Sequence, residues 1–495
     1  MAVVQRLFST LSIEGLQRAG ERKILRRVLR GRDLIAIGLG CMIGGGIYTT
    51  IGPGVATAGP SVILAFILAG LASFFAALCY AELGSMVPIA GSAYTYAYAT
   101  LGQVIAWIIG WDLILEYGIS AAPVAQQWSA SMQEVLRRIG FSLPAWAHTA
   151  HYATHGAWWA FDPSKSQIDL LGALFVIALS ALLAVGVRET ATSNNIFVVV
   201  KIAALFVFVI AGLTLFHAGN LQPFAPHGWG HISFGASGLG IIPAAALVFF
   251  VFIGFDAATT GAEETINPQV DIPVGVLGSL FIGTFVYCIV AVVLVGAVPW
   301  QHVDQNTPLT KALAPLHLPI VEWIILIGVL AGTTSVALTS LFGQSRIFYV
   351  MARDRMLPPF VAVIHPRFRT PARMTMITGF LVAILTLIVP LDTLLKLVNI
   401  GTFSAFIIVC AGVIYLRYKR PDLPRKFRSP LVPLFPLMGI SLSLFLSTVG
   451  LDWFTWTRFL VWLLVGLVIY FFYGYRKSRP ADINASPLPE SLSLE

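Results

Sequence analysis

The stretch GLGCMIGGGIYTTIG, residues 38–52, holds six glycines in fifteen residues. It lies inside a strongly apolar segment that begins near Leu34, and Gly44, Gly45 and Gly46 fall near the middle of that segment. Glycine leaves helical geometry easily, and without a side chain it lets a ligand reach the backbone closely. The stretch therefore allows two interpretations: a broken membrane helix, or the phosphate-binding loop of a soluble nucleotide-binding domain.

The composition of the chain favours the membrane. Of the 495 residues, 57% are hydrophobic and only 11% are charged, and the mean hydropathy is +0.83. Soluble domains carry about 25% charged residues, so a polytopic membrane protein is expected. The nucleotide-binding interpretation also fails locally. The glycine spacing is G-x-G-x-x-x-G, no strand precedes it, and no acidic residue follows about 20 positions later.

The apolar runs are long enough to cross a membrane, which takes about 20 residues each. We predict an all-α polytopic membrane protein with about twelve transmembrane helices. Their predicted limits are 34–57, 61–87, 95–122, 168–186, 193–216, 239–262, 273–297, 321–349, 373–390, 393–417, 431–450 and 453–475. A basic segment, 1–33, precedes them without the look of a cleavable signal peptide, and a polar tail, 476–495, follows.

The basic residues are distributed unevenly between the two ends of these helices. If the N-terminus is cytoplasmic, most of the 31 Lys and Arg residues fall in cytoplasmic segments, as the positive-inside rule requires. We therefore predict a multi-pass protein of the cell (inner) membrane, embedded in the lipid bilayer, with both termini in the cytoplasm. The net charge of +8 then reflects the excess of basic residues in the cytoplasmic segments, so a nucleic-acid partner is not expected.

A second glycine break occurs in the sixth predicted span, LVFFVFIGFDAATTGAEETINP, residues 247–268. Gly254 lies in mid-span, and Asp256 follows it in apolar surroundings. Irregular backbone in hydrocarbon is tolerated only where it faces protein or a water-filled cavity. If spans one to five and six to ten repeat one unit, the two breaks occupy matching positions, which indicates a transporter site near the midplane. The alternative for the first break is a close helix–helix contact made by small residues.

The free backbone groups at these breaks predict the ligand. A half-helix that begins near Gly45 offers N–H groups and the positive end of its dipole to a carboxylate. Half-helices that end near Met42 and between Phe250 and Ile253 offer carbonyl oxygens to an ammonium group. A small molecule with both groups is an α-amino acid, so we predict an L-amino acid substrate.

Ionisable side chains inside the membrane are costly and mark candidate functional positions. Lys201 in the fifth span either snorkels to the cytoplasmic interface or lies against the broken first span, where gain and loss of a proton would couple transport to protons. Glu116 in the third span either lines the substrate cavity or makes a structural hydrogen bond. Asp112 and Asp256 are expected to be structural, and Glu82 is expected to tie down a cytoplasmic loop.

Other chemistries find little support in the sequence. The four cysteines lie in apolar runs without metal-ligand spacing. His148, His151 and His155 cluster in one outer loop, where a solvated loop is favoured over a metal site. Neither HExxH nor G-x-S-x-G occurs, so we expect neither a protease nor another enzyme, and we predict no cofactor or metal.

Several motifs together resemble one transporter family. YAELGSMVPIAGSAYTYAYATLG, residues 80–102, resembles the signature around spans two and three of amino acid permeases. Residues 37–52 resemble their first span, and residues 249–273 resemble their sixth span and the loop after it. GWDLILEYG and GQSRIFYVMARDRMLP are typical of one branch. Over about residues 30–475 the chain is identified as a bacterial member of the cationic amino acid transporter family, within the amino acid–polyamine–organocation superfamily.

The resemblance implies two inverted five-helix repeats, 34–216 and 239–417, followed by two further helices in 431–475. It also implies that the protein works by alternating access. The substrate-binding residues that it implies are Met42, Ile43, Gly44, Gly45, Gly46, Phe250, Val251, Ile253 and Thr333. Among these, Phe250 takes the position of an aromatic gate, and Thr333 lies near a position that sizes the side-chain pocket. Lys201 and Glu116 are the implied proton-coupling residues, with protons as the coupling ion.

Two departures from the family pattern bear on the substrate. Gly45 stands where several relatives have Ser or Thr, so a carboxylate there would depend on backbone N–H groups. Bacterial members of this branch do not all carry cationic substrates, so small neutral and cationic amino acids both stay open. We predict a proton-coupled amino acid symporter. An amino acid exchanger and a non-transporting amino acid sensor are the alternatives, and an accessory small membrane protein is left open.

Overall fold

The computed structural model describes residues 7–10, 27–87, 92–150, 167–185, 190–235, 238–260, 262–365, 368 and 370–477. These residues form helices and connecting segments, with one parallel bridge between Leu29 and Thr265. The helices of eight or more residues are α1 Gly31–Met42, α2 Gly46–Ala58, α3 Val62–Met86, α4 Ser92–Thr100, α5 Gln103–Leu113, α6 Ala121–Arg138, α7 Leu170–Val185, α8 Thr190–Thr214, α9 Ile241–Val248, α10 Pro268–Ala297, α11 Pro319–Arg353, α12 Ala372–Ile388, α13 Leu391–Lys419, α14 Leu434–Gly450 and α15 Trp453–Ile469.

The lengths and composition of these helices match a membrane protein. Within the described ranges, eight helical stretches are long and apolar enough to cross a membrane. Three shorter apolar helices, α7, α12 and α14, have 16 or 17 residues. The predicted all-α polytopic class is confirmed, whereas the number of twelve spans stays a prediction.

The predicted limits of the third span, 95–122, are wrong. Gly102 has a φ of 96°, a backbone conformation that ends the short helix α4. The membrane stretch instead runs over Gln103–Arg138, through α5, a π-helical turn and α6. The hydropathy pattern predicts the C-terminal end of this span too early, because α6 carries Gln126 and Gln127, which are polar and yet buried inside the protein.

The helices pack into a bundle whose interior is closed and whose outer faces are apolar. Helix α10 lies against α1 and α3, while α11 packs on α6 and α8 and α12 packs on α7. The outer faces of α8, α10 and α15 expose Phe206, Phe281 and Leu464 by 65%, 77% and 61%. Exposed apolar side chains of this size are expected where hydrocarbon is the solvent, so the chain is a multi-pass membrane protein.

The last helix is fixed to α5 by tryptophan side chains. The indole N–H of Trp107 donates to the carbonyl of Gly466 at 2.9 Å, and that of Trp111 donates to the carbonyl of Trp462 at 2.8 Å. The rings of Trp111 and Trp462 also stack, with centroids 4.5 Å apart. Helix α15 therefore braces the part of the third span that leads to Glu116.

A buried ion cluster joins α3 to the segment after α13. Glu82 accepts two hydrogen bonds of 2.9 Å from the guanidinium of Arg417, and one of 2.8 Å from the backbone N–H of Ser429. Arg425 lies 3.3 Å from the same carboxylate, and burial lowers the pKa of Arg425 although the charge of Glu82 opposes this. The predicted role of Glu82 in tying down a loop is confirmed.

Candidate functional site

The first predicted span is interrupted at its centre. Helix α1 ends at Met42 and α2 begins at Gly46. Between them Ile43 is extended, with φ −78° and ψ 123°, and Gly44 has a φ of 127°, which L side chains avoid. A Cβ on Gly44 would also lie 2.7 Å from the carbonyl oxygen of Gly332. Glycine is therefore needed at this position for both conformation and space.

The sixth predicted span has a break of the same shape. Helix α9 ends at Val248 and continues as a 3₁₀ turn to Phe252. Ile253 is extended, with φ −63° and ψ 128°, and Gly254 has a φ of 111°. The break predicted at Gly254 is confirmed, and the Ile-Gly pairs of the two spans share one backbone conformation.

The two breaks lie against each other inside the protein. A Cβ on Gly254 would lie 2.7 Å from the Cβ of Cys41, and one on Gly46 would lie 2.5 Å from the Cα of Val251. The carbonyl of Val251 accepts a hydrogen bond of 3.0 Å from the hydroxyl of Tyr287 on α10. The irregular backbone is thus surrounded by protein, as the hydrocarbon environment requires.

A small cavity lies where the breaks meet. Its volume is about 40 Å³, which is room for about three water molecules. Its walls are Cys41, Gly46, Glu116, Tyr117, Ser120, Phe250, Ile253, Gly254, Ala257, Val336, Thr339 and Ser340. The wall combines apolar side chains with one carboxylate and several hydroxyl groups, so it suits a small ligand that has both apolar and polar parts.

Several of the predicted site residues line this cavity. They are Gly46, Glu116, Phe250 and Ile253. Gly45 lies beside it, since a Cβ there would meet the side chains of Val336 and Val124 at 2.7 and 2.9 Å. Backbone groups of both breaks are therefore within reach of the same small volume.

The other predicted binding residues lie behind the wall of the cavity. Met42, Ile43 and Val251 are buried in the core around the breaks. Thr333 is also buried, and its hydroxyl donates to the carbonyl of Val329 in its own helix at 2.7 Å. In the structure these four residues support the breaks rather than line the cavity.

The residues of helix α11 that line the cavity do not include the predicted Thr333. Val336, Thr339 and Ser340 line it, and Ser340 accepts a hydrogen bond of 3.3 Å from the hydroxyl of Ser120. The spacing i, i+3, i+4 places the three residues on one helix face. Hydroxyl residues also occupy positions 333–335 of the same helix, so the hydroxyl pattern alone does not identify this face.

Lys201 is fully buried against the first break. Its Nζ donates a hydrogen bond to the carbonyl of Gly40, in the last turn of α1. The hydroxyl of Tyr48 donates to the backbone carbonyl of Lys201 at 3.2 Å. The last carbonyls of a helix have no partner within it, so the lysine satisfies one of them. Of the two positions predicted for Lys201, the one against the first span is confirmed.

Glu116 lies in the π-helical turn Ile114–Ile119. Pro123 follows in α6, where its ring and its missing N–H disturb α-helical bonding to Ile119, and a wider turn accommodates this defect. Glu116 is 3% exposed, and its Oε2 has no hydrogen-bond partner within the described part of the chain. An unpaired buried carboxylate oxygen at a cavity wall is available to a ligand or a proton.

The two other carboxylates of this region have partners in neighbouring helices. Asp112 accepts a hydrogen bond of 2.9 Å from the hydroxyl of Ser404 on α13. Asp256 accepts one of 2.9 Å from the hydroxyl of Tyr117. Because Tyr117 lines the cavity and Asp256 follows the second break, this bond joins the third span to the sixth below the cavity.

A larger cavity of about 750 Å³ lies beside the last turn of α2 and along α9. Its walls include Thr57, Leu247, Asp169 and Asn306. Leu247 precedes Phe250, which lines the small cavity, by about one turn of helix. The segment around Phe250 therefore separates the two cavities.

The loop bordering the larger cavity is held by Asp304. Its carboxylate accepts hydrogen bonds from the backbone N–H of Thr307 at 2.7 Å and of Asn306 at 3.0 Å, and it pairs with Lys311. Burial raises the pKa of Asp304, but the donors outweigh burial and lower it below the ordinary value. The loop is therefore held in place as long as Asp304 is ionised.

Metal ligation finds no support in the ranges that the structure covers. Searching those residues reveals no group of three or more His, Cys, Asp or Glu side chains that could hold an ion. The ring Nε2 of His148 lies 2.8 Å from the carbonyl of Leu143. His151 and His155 lie outside the described residues.

Comparison with known proteins gives close relatives over the whole chain. A family model described as amino acid permease matches residues 29–476. The chain is 42% identical over 476 residues to the branched-chain amino acid permease BcaP of Bacillus subtilis (strain 168), covering 96% of this chain and 98% of that protein. It is 38% identical over 475 residues to the methylthioribose transporter of the same organism, covering 95% and 98%. It is also 35% identical over 400 residues to the vacuolar cationic amino acid transporter 4 of Arabidopsis thaliana, covering 80% and 64%.

Proposed function

The chain belongs to the amino acid permease family, and on this basis we propose that it is a secondary active transporter of L-amino acids. It works by alternating access in a bacterial cell membrane and uses protons as the coupling ion. The observation that carries the proposal is the pair of matched helix breaks that meet at one buried cavity.

The breaks supply complementary groups for an amino acid backbone. The N–H groups of Gly45 and Gly46 lie at the start of α2, where the positive end of the helix dipole favours a carboxylate. The carbonyls of Phe250 and Ile253, which line the cavity, accept from the ammonium group, and Met42 supports them from behind the cavity wall. The carbonyl of Phe250 already accepts from the N–H of Ile253 at 3.2 Å, but a carbonyl oxygen has a second lone pair.

The cavity favours a neutral side chain. Phe250, Ile253 and Val336 give it apolar walls, its volume is small, and the relative that is 42% identical is named for branched-chain amino acids. A cationic side chain is the second candidate, because the unpaired carboxylate of Glu116 lines the same cavity. Relatives named as cationic amino acid transporters also share about a third of the sequence.

Proton coupling is assigned to Lys201 and Glu116. A charged Lys201 donates strongly to Gly40 and holds the inner half of the first span, since hydrogen bonds from ionised donors are the stronger ones. Loss of its proton weakens that hold and frees α1 to move. Protonation of Glu116 changes the charge that the substrate meets in the cavity.

The topology follows from the same arrangement. We assign residues 34–216 and 239–417 to two inverted repeats, supported by the shared backbone shape of Ile43–Gly44 and Ile253–Gly254. Residues 431–475 add two further helices. The excess of Lys and Arg supports cytoplasmic termini, and with this topology the larger cavity lies on the outer side.

The proposal is tested by uptake into proteoliposomes in sodium-free buffer with an inward proton gradient. Labelled L-leucine, L-alanine and L-arginine are compared. Accumulation that depends on the gradient supports a proton symporter, and the preferred label separates the neutral from the cationic reading. Uptake only into vesicles preloaded with amino acid indicates an exchanger, and binding without any uptake indicates a sensor.

A substitution at Lys201 separates coupling from binding. Lys201→Ala should abolish proton-driven accumulation and leave amino acid binding detectable, because the side chain contacts α1 rather than the cavity. Full gradient-driven accumulation by this variant would remove Lys201 from the coupling mechanism and leave it a structural role.

A further inference from the structure

Asn399 on α13 is bonded to the last turn of α9. Its Nδ2 donates to the carbonyl of Ala246 at 2.7 Å and to that of Leu247 at 3.0 Å. Both partners can only accept, so the nitrogen and not the oxygen of the amide must face them. The last carbonyls of a helix need donors from outside it. Asn399 therefore attaches α13 to the outer half of the sixth span, directly before the 3₁₀ turn that carries Phe250.

Among the described residues, only the Nδ2 of the Asn399 amide has hydrogen-bond partners. Its residue is fully buried, and its Oδ1 has no hydrogen-bond partner among the residues that the structure describes. A buried acceptor without a donor costs free energy, which offsets part of what the two N–H bonds contribute. The attachment of α9 to α13 is therefore one that can be released when α9 moves.

The first span is attached in a parallel way. Lys201, in the first half of α8, donates to Gly40 in the last turn of α1. Asn399, in the first half of α13, donates to Ala246 and Leu247 in the last turn of α9. In each case the fifth helix of a proposed repeat supplies the donor, and the half-helix before the break accepts it.

We propose that Asn399 is the counterpart of Lys201 in the second repeat, a positioning residue that holds the outer half of the sixth span closed over the substrate cavity. The inference rests on the proposed transport function. Leu247 lines the larger cavity and Phe250 lines the small one, so the segment that Asn399 holds is the barrier between them. Release of this segment opens the substrate site to the outer side.

The variants Asn399→Leu and Asn399→Asp test the proposal. Both keep the size of the side chain. Leucine cannot donate to the two carbonyls, and a buried carboxyl group, which stays neutral there, can donate to only one of them. Thr402→Val is the matched control, because Thr402 is fully buried on the same helix and donates only to Val398 of its own helix, at 3.2 Å. Asn399→Ser, which is smaller, is added in case the other two variants do not fold.

Two readouts distinguish positioning from general stability. The first is the KM and the maximal rate of L-leucine uptake. The second is the rate at which a membrane-impermeant thiol reagent, added from outside, alkylates Cys41, which lines the small cavity. For this measurement Cys79, Cys288 and Cys410 are replaced by alanine. Alkylation requires no transport, so it tests the role of Asn399 even if the wild type transports none of the amino acids tried.

Loss of the two hydrogen bonds should raise both the KM and the alkylation rate of Cys41 about tenfold, with a much smaller change in the maximal rate. Thr402→Val should match the wild type in both. Wild-type KM and alkylation rate in a folded Asn399→Leu would overturn the proposal. Failure of all three Asn399 variants to fold would also overturn it, because the residue would then serve folding alone.

Discussion

The three consecutive glycines of the first break should respond differently to the same substitution by alanine. At Gly44 the φ of 127° and the Gly332 carbonyl, 2.7 Å from an added Cβ, both oppose a side chain. At Gly46 an added Cβ would lie 2.5 Å from the Cα of Val251. At Gly45 the backbone is helical, with φ −71° and ψ −47°, and the neighbours are the side chains of Val336 and Val124.

These contacts set the size of each effect. The left-handed conformation costs an L residue about 1–2 kcal/mol, and a clash with fixed backbone adds about 1–3 kcal/mol, so Gly44→Ala should destabilise by about 2–5 kcal/mol. Gly46→Ala should be destabilised only by the clash with the backbone of Val251, because Gly46 is already helical. Gly45→Ala adds no strain to the helical backbone of Gly45, and the valine methyl groups can shift, so the stability of this variant should stay near that of the wild type. Its methyl group instead lies beside a cavity that has room for about three water molecules, and we expect about tenfold weaker substrate binding.

Thermal unfolding of the purified variants measures the first effect, and binding of labelled L-leucine measures the second. Gly44→Ala and Gly46→Ala should lower Tm clearly, and Gly45→Ala should keep its Tm but lose affinity. Substrate binding like that of the wild type in Gly45→Ala would refute the assignment of Gly45 to the carboxylate site, and instability equal to that of Gly44→Ala would refute the argument that Val336 and Val124 can shift. Wild-type stability of Gly44→Ala would refute the structural reading of the break.

Three further substitutions test contacts away from the breaks. Glu82→Gln leaves Arg417 and Arg425 without their carboxylate, so it should destabilise by about 3–5 kcal/mol; a Tm equal to that of the wild type would contradict this. Tyr117→Phe removes one hydrogen bond to Asp256 and, under the proposed mechanism, should speed the exchange of substrate. Unchanged exchange kinetics would show that this bond does not restrain the sixth span. Asp304 has a lowered pKa in the folded state, so its stabilisation is present above its unfolded value of about 4 and is lost as pH falls through the folded value. The protection of the Thr307 amide, meaning its hydrogen-exchange rate compared with the intrinsic rate at the same pH, should therefore fall in acid in the wild type, whereas Asp304→Asn should show a reduced protection that does not change with pH.

The helix breaks could be predicted from the sequence because their cause is local. Glycine alone does not interrupt a helix, since Gly328 and Gly332 lie within the continuous helix α11. The cluster of three glycines in the first span and the matching position of Gly254 in the sixth predicted the breaks, and Gly44 and Gly254 both adopt the positive φ that only glycine tolerates well. The placement of Lys201 was also within reach, since a lysine in a membrane helix must find acceptors near its own depth. The sequence left two positions for the side chain of Lys201, and the contact with α1 was one of them.

The wall formed by α11 could not be predicted in the same way. Apolar and hydroxyl residues alternate irregularly around α11, so its sequence has almost no periodic signal to tell which face meets the cavity. The choice between Thr333 and Val336, three residues apart, depends on how α11 packs on α6 and α8. The predicted limits of the third span are wrong for a related reason: the hydropathy of Gln126 and Gln127 does not reveal that the protein itself buries them.

The donors that attach the two breaks to the rest of the protein differ in kind, and under the proposed mechanism this difference decides where a proton acts. Gly40 in the first span is held by the amine of Lys201, which can gain or lose a proton. The backbone around the second break is held by the amide of Asn399 and the hydroxyl of Tyr287, neither of which changes charge near neutral pH. A change in protonation therefore loosens the inner half of the first span and leaves the outer half of the sixth span as it was. Opening toward the two sides of the membrane is then controlled separately, because a proton acts on the inner half of the first span, whereas the outer half of the sixth span is released only when the hydrogen bonds of Asn399 break.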